Sequence, residues 1–106
     1  MTYQNCQVLN LPLGAKRWIY TKSVVMLERD EYGVYELLDS DGNILYIGHG
    51  KIVPSLLKHL DDGEYPVTGA HCFSVEYTWD RTKSETRHRE ELAKYHKEYG
   101  THPKFN

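Results

Sequence analysis

The sequence predicts an α+β fold in which a three-stranded antiparallel sheet is flanked by helices, in the order β-β-α-β-α. Three observations predict it. Two short runs rich in aliphatic and aromatic residues, 33–38 and 44–48, flank Asp39-Ser40-Asp41-Gly42-Asn43, and Asp-Gly provides the positive φ that a tight hairpin turn needs. From Cys72 to Trp79 the chain alternates, with Phe73, Val75, Tyr77 and Trp79 on one face and Cys72, Ser74, Glu76 and Thr78 on the other, the period of a strand. From Ser84 to about Tyr99 it is dense in Glu, Lys and Arg, with Leu92, Tyr95 and Tyr99 at helical spacing and Gly100 as the terminator.

The 106 residues, 40% hydrophobic and 26% charged, suffice for one globular unit with a modest core and a shallow site. Residues 1–32 read as an N-terminal extension packing on that core, and residues 33–106 as the domain. Pro12 and Gly14 break the first segment. Residues 17–20, Arg-Trp-Ile-Tyr, read as an edge strand or a covering loop, and Thr21 or Ser23 as the cap of a short helix through Val24–Leu27. Within the hairpin, Tyr35 and Leu37 share a face opposite Val34, Glu36 and Leu38. In its second strand Ile44 and Tyr46 oppose Leu45 and Ile47. Pro54 suits the first position of a helix running to about Leu60; Leu56, Leu57 and Leu60 form its apolar side, and Asp61-Asp62-Gly63 ends it. Phe105 is expected to return the tail to the hairpin.

The net charge of −2 exerts no global pull on nucleic acid, so such a ligand needs a local basic patch. The run Arg81 to Arg89 offers one: Arg81, Lys83, Arg87 and Arg89 accompany His88 with one acid among them. The same run also reads as a solvated helix start. Cys6 and Cys72 form no C-x-x-C motif, so neither a zinc knuckle nor a disulfide framework is indicated, and a reducing, cytoplasmic compartment is the default. No basic region leads an apolar run at the N-terminus and no stretch has membrane-spanning length. His49, His71, His96 and His102 lack zinc-site spacing.

Gly33-Val34-Tyr35 on the first strand and Tyr46-Ile47-Gly48 on the second, followed by the helix, strand and helix, resemble the GIY-YIG nuclease superfamily over about residues 30–106. The resemblance implies an endonuclease, a metal-dependent phosphodiester hydrolase acting on DNA or RNA. It implies one Mg²⁺ (or Mn²⁺) held by a helical glutamate, with tyrosines orienting the attacking water. The glutamate is placed at Glu91, one turn before Tyr95 and beside the sheet-facing stripe, with Glu90 and Glu85 as competitors. Tyr35, Tyr46, His59, Glu91 and Asn106 are the implied catalytic residues. The superfamily's first-helix arginine is absent: Ser55 and Leu56 stand there. Lys51, Lys58, Arg81, Arg87 and Arg89 are the cations available to contact substrate. The alternative is a catalytically inactive module that keeps the fold to bind nucleic acid or a protein partner.

Overall fold

A computed structural model of the chain describes residues 17–106. Seven elements are present among them: β1 (Trp18–Ile19), α1 (Lys22–Val25), β2 (Tyr32–Leu38), β3 (Ile44–Lys51), α2 (Ile52–Lys58), β4 (Cys72–Tyr77) and α3 (Arg81–Tyr99). The sheet is antiparallel throughout, in the order β1-β4-β2-β3. It therefore has four strands, one more than expected. The addition is β1, whose Trp18 and Ile19 pair with Phe73 and Cys72. It is the edge strand that residues 17–20 offered as one of two readings; two residues are too few to carry a periodic signal, so the pairing decides between strand and loop. Residues 17–32 thereby join the core, while residues 1–16 of the expected extension lie outside the described residues.

The sheet separates two apolar layers. On one face Tyr35, Leu37 and Phe73 pack with Tyr20, Val24 and Val25 around α1 and with Ile52 and Leu56 of α2. On the other, Val34 and Ile47 meet Ile44, Leu92 and Tyr95, which brings α3 onto the sheet. The first layer is tied by Tyr20, whose hydroxyl donates to the Leu56 carbonyl of α2.

Each helix boundary has a local cause. Thr21 caps α1 by accepting from Val24 N. Asp80 caps α3 by accepting from Lys83 N at 2.9 Å, and Gly100, with φ 76°, closes it. The helix thus begins three residues before the expected Ser84. In α2 the chain passes from strand to helix without a loop, and Pro54 is the third helical residue instead of the first. Any position in the first turn spares proline an intrahelical bond, since those N–H groups have no partner in the helix. The start is fixed upstream, where Ile52 is buried and its N–H donates to the Glu31 carbonyl at 3.0 Å.

A bulge corrects the face assignment in β3. Leu37 pairs with Tyr46, but Leu38 pairs with Ile44, so Leu45 is the extra residue. Tyr46 consequently lies on the α2 face with Tyr35, while Ile44 lies on the α3 face with Ile47. Strict alternation had placed Ile44 with Tyr46. Cys72, buried on β4, is disulfide-bonded, which corrects the expectation of unpaired thiols drawn from the lack of a C-x-x-C motif; Cys6, the chain's other cysteine, lies outside the described residues. Among the described residues no helix is long and apolar enough to cross a membrane.

Candidate functional site

Tyr35 and Gly48 face each other across β2 and β3, and this pairing builds the site. A Cβ at Gly48 would overlap Cζ and Oη of Tyr35 and stand 2.7 Å from Cε2 of Tyr46. The bare Cα is the space in which the two rings converge, their centroids 6.1 Å apart. His59, just past α2, completes the group, 4.6 Å from the Tyr46 ring and 6.0 Å from that of Tyr35. Gly33 has a comparable role at the other triplet, because a Cβ there would lie 2.6 Å from the Glu76 carbonyl of β4.

The hydrogen bonds fix proton positions. His59 Nδ1 lies 2.8 Å from the Tyr65 carbonyl, which can only accept, so Nδ1 carries the hydrogen. In the neutral ring Nε2 is then an acceptor, and the Tyr35 hydroxyl donates to it at 3.0 Å. The Tyr46 ring lies beside this pair, against both Tyr35 and His59. The chain runs Tyr35 to His59 to the Tyr65 carbonyl. Burial sustains this neutral arrangement. It raises the Tyr35 phenol well above its ordinary value, with the neighbouring Tyr46 and Tyr20 adding to the rise. It also raises Tyr46, against the lowering influence of the neighbouring Tyr35 hydroxyl, and lowers the His59 imidazole, against the bond to Tyr65.

The Tyr35 hydroxyl and the His59 imidazole are thus an acid and a base joined by one hydrogen bond. Ordinary phenol and imidazole already differ by about 3.5 pH units, or about 5 kcal/mol, and burial widens the gap. A phenolate on Tyr46 therefore requires a cation beside it. The surrounding cleft, of about 380 Å³, is lined by Tyr35, Tyr46, His49, Ser55, Lys58 and His59 and closed by Tyr65 to Val67 and Phe105. Lys58 is the cation on that lining and no carboxylate is part of it.

Glu91 stands across the sheet. It lines a different cleft, of about 810 Å³, together with Arg17, Leu38, Ile47 and Tyr95, and its Oε1 accepts from Arg87 Nη2 at 2.6 Å. Arg87 is shared among three carboxylates, since Glu76 takes both Nε (2.7 Å) and Nη2 (3.0 Å) and Glu90 takes Nη1 (2.9 Å). These bonds raise the guanidinium pKa, that to Glu76 most, and lower the Glu76 carboxyl. Helical spacing correctly turns Glu91 toward the sheet, but α3 covers the face opposite Tyr35. The donors present do not fit Mg²⁺ beside the tyrosines, a hard ion that takes carboxylate oxygens. Among the described residues no group of three or more His, Cys, Asp or Glu is placed to hold a metal ion.

Asn106 meets neither tyrosine hydroxyl in these contacts. Its Oδ1 accepts from Ile47 N at 2.9 Å and its Nδ2 donates to Ile47 O at 2.8 Å, closing the outer edge of β3, where Phe105 N also donates to Leu45 O. Of the remaining cations, Lys51 binds the Asp30 carbonyl, Arg81 lies 3.5 Å from Glu85 with its side chain 77% exposed, and Arg89 reaches Thr86. The structure therefore unites Tyr35, Tyr46, His59 and Lys58 and leaves Glu91 and the α3 arginines elsewhere.

Sequence reasoning missed His49, which lines the tyrosine cleft, and His88, whose ring lies 4.5 Å from His49 and whose Nε2 donates to Ile47 O at 3.0 Å. The position of His49, directly after the Tyr-Ile-Gly triplet, was the available signal. It also missed the buried pair Arg17–Glu36, joined at 2.9 Å beneath α3, for which the sequence carries no signal.

No curated protein and no solved structure matches this chain. A family model described as Domain of unknown function (DUF7508) matches residues 11–99, and the chain belongs to that family.

Proposed function

We propose that this chain is a nucleic-acid-binding module that resembles the GIY-YIG nuclease fold and engages phosphate at the tyrosine cleft without Mg²⁺-dependent hydrolysis. One observation carries the reading: Glu91, the residue placed to hold the metal, lies on the opposite face of the sheet from Tyr35 and Tyr46 and is bonded to Arg87. The cleft offers a phosphate the Lys58 ammonium, the Ser55 hydroxyl and the Tyr46 phenol. The Tyr35–His59 hydrogen bond with the Tyr46 phenol beside it supports a second reading, the nuclease one. In it the Tyr46 phenol orients the attacking water.

Purified protein incubated with single- and double-stranded DNA and with RNA, in Mg²⁺, Mn²⁺ or chelator, separates the two. Binding without cleavage is expected, with Lys58→Ala weakening it several-fold and Glu91→Ala leaving it unchanged. Cleavage that requires Mg²⁺ and disappears in Glu91→Ala would overturn the proposal in favour of the nuclease.

A further inference from the structure

Trp79 is the one non-glycine residue with positive φ among the described residues, at 64°, a conformation in which a bulky side chain is strained. Its surroundings hold it there. Thr78 N and Trp79 N both donate to the Tyr32 carbonyl, at 2.9 and 3.1 Å, and Thr78 Oγ1 donates to Asp80 O at 3.1 Å. The turn presents the indole to solvent, 57% exposed, although a large aromatic ordinarily contributes to burial. Tyr77 stacks against the ring at 5.4 Å, and the Arg29 guanidinium lies 5.7 Å from its centroid. Arg81 and Lys83, both exposed, follow directly on the first turn of α3. The acids beside them are Glu28, which accepts from the Tyr77 hydroxyl at 2.6 Å, Asp80, which accepts from Lys83 N, and Glu85, 3.5 Å from Arg81.

An exposed aromatic ring in a strained backbone, with Arg29 over it and Arg81 and Lys83 on the helix that follows, is an arrangement that stacks an unpaired base while neighbouring cations hold its phosphates. We infer that Trp79, with Arg29, Arg81 and Lys83, is a stacking platform for single-stranded nucleic acid. The inference rests on the nucleic-acid reading above and specifies its substrate class: a duplex keeps its bases stacked internally and offers the ring none.

The test uses the full chain with an oligothymidylate of about ten nucleotides and a duplex of equal length, read by tryptophan emission and by anisotropy of a labelled strand. The single strand is expected to quench Trp79 emission, and Trp79→Gly to weaken binding about 5- to 150-fold, the usual worth of one stacked base. Glycine suits the left-handed backbone, so this variant removes the platform without disturbing the fold. Trp79→Phe should keep most of the affinity, and the double variant Arg81→Ala, Lys83→Ala should flatten the salt dependence. Undiminished single-strand binding in Trp79→Gly, or preference for the duplex, overturns the inference. Loss in Lys58→Ala alone then leaves the cleft reading standing, whereas loss in Trp79→Gly alone leaves the platform without the cleft. No binding by any oligonucleotide overturns both.

Discussion

The phenol of Tyr35 lies across the bare Cα of Gly48, the residue paired with it on β3. Two glycine–tyrosine triplets thus contribute to one structural event: the second triplet's glycine makes the space in which the first triplet's tyrosine reaches Tyr46. Gly48→Ala must displace the Tyr35 ring from a site where it is 2% exposed. Its expected cost is about 1–3 kcal/mol, typical of overpacking, measured by chemical denaturation. An accompanying fall in the phenol titration midpoint would report a ring expelled from burial.

The proton order at His59 gives a second outcome. His59→Phe keeps a ring beside Tyr46 and removes the acceptor for Tyr35, leaving a buried hydroxyl without its partner. That costs about 1–3 kcal/mol. The double variant Tyr35→Phe, His59→Phe removes both members and should recover part of the loss. A double-mutant cycle by denaturation checks this, and strictly additive losses would refute the bond.

The Asn106 amide satisfies the exposed edge of β3 at Ile47 with two hydrogen bonds. Asn106→Ala should cost about 1–2 kcal/mol and accelerate hydrogen exchange at the Ile47 amide more than at Leu37, which lies on an interior strand. Equal acceleration at both would identify a global effect.

The hairpin, the third long strand and α3 were legible because each has a period and a stop signal that local chemistry enforces. Three placements were not. The bulge at Leu45 arises from pairing, and a one-residue insertion reverses the face of everything beyond it, which is why Ile44 was put with Tyr46. Glu91 was placed on a sheet-facing stripe, but a helical stripe does not say which of two sheet faces it meets. Arg17 and Glu36 are far apart in sequence and neither stands in a motif, so their burial together follows only from β1 joining the sheet. The tyrosine cluster was readable because its triplets are directly paired; the site's remote partners depended on topology.

Trp79→Gly should raise stability by about 1 kcal/mol, because it relieves a left-handed backbone while removing a largely exposed ring. Trp79→Ala, which keeps a Cβ at φ 64°, should gain less. Urea midpoints of the two variants against the parent protein measure the difference. Equal midpoints for Gly and Ala would show that the turn carries no strain.

The buried Arg17–Glu36 pair governs a distinct pH dependence. Burial pushes the Glu36 carboxyl up from 4.5 to about 7, against the attraction of Arg17 and with repulsion from Glu91 adding to the rise. The folded state therefore holds a proton that the unfolded chain releases above pH 4.5. This contribution to stability is complete below that pH and is lost as pH rises through about 7. At 2% side-chain exposure, a shift of this size corresponds to about 3 kcal/mol. His59 and His88, both lowered mainly by burial, act in the opposite sense, adding stability as pH rises toward their unfolded values near 6.5, above which the contribution is complete. The parent protein's own curve is thus partly flattened, and Glu36 is isolated by comparison. Glu36→Gln resembles the protonated carboxyl, so the variant should match the parent near pH 4.5 and gain on it steadily to about pH 7. Denaturation of both proteins across that range measures the difference, and a constant gap would place the Glu36 carboxyl at its ordinary value despite its burial.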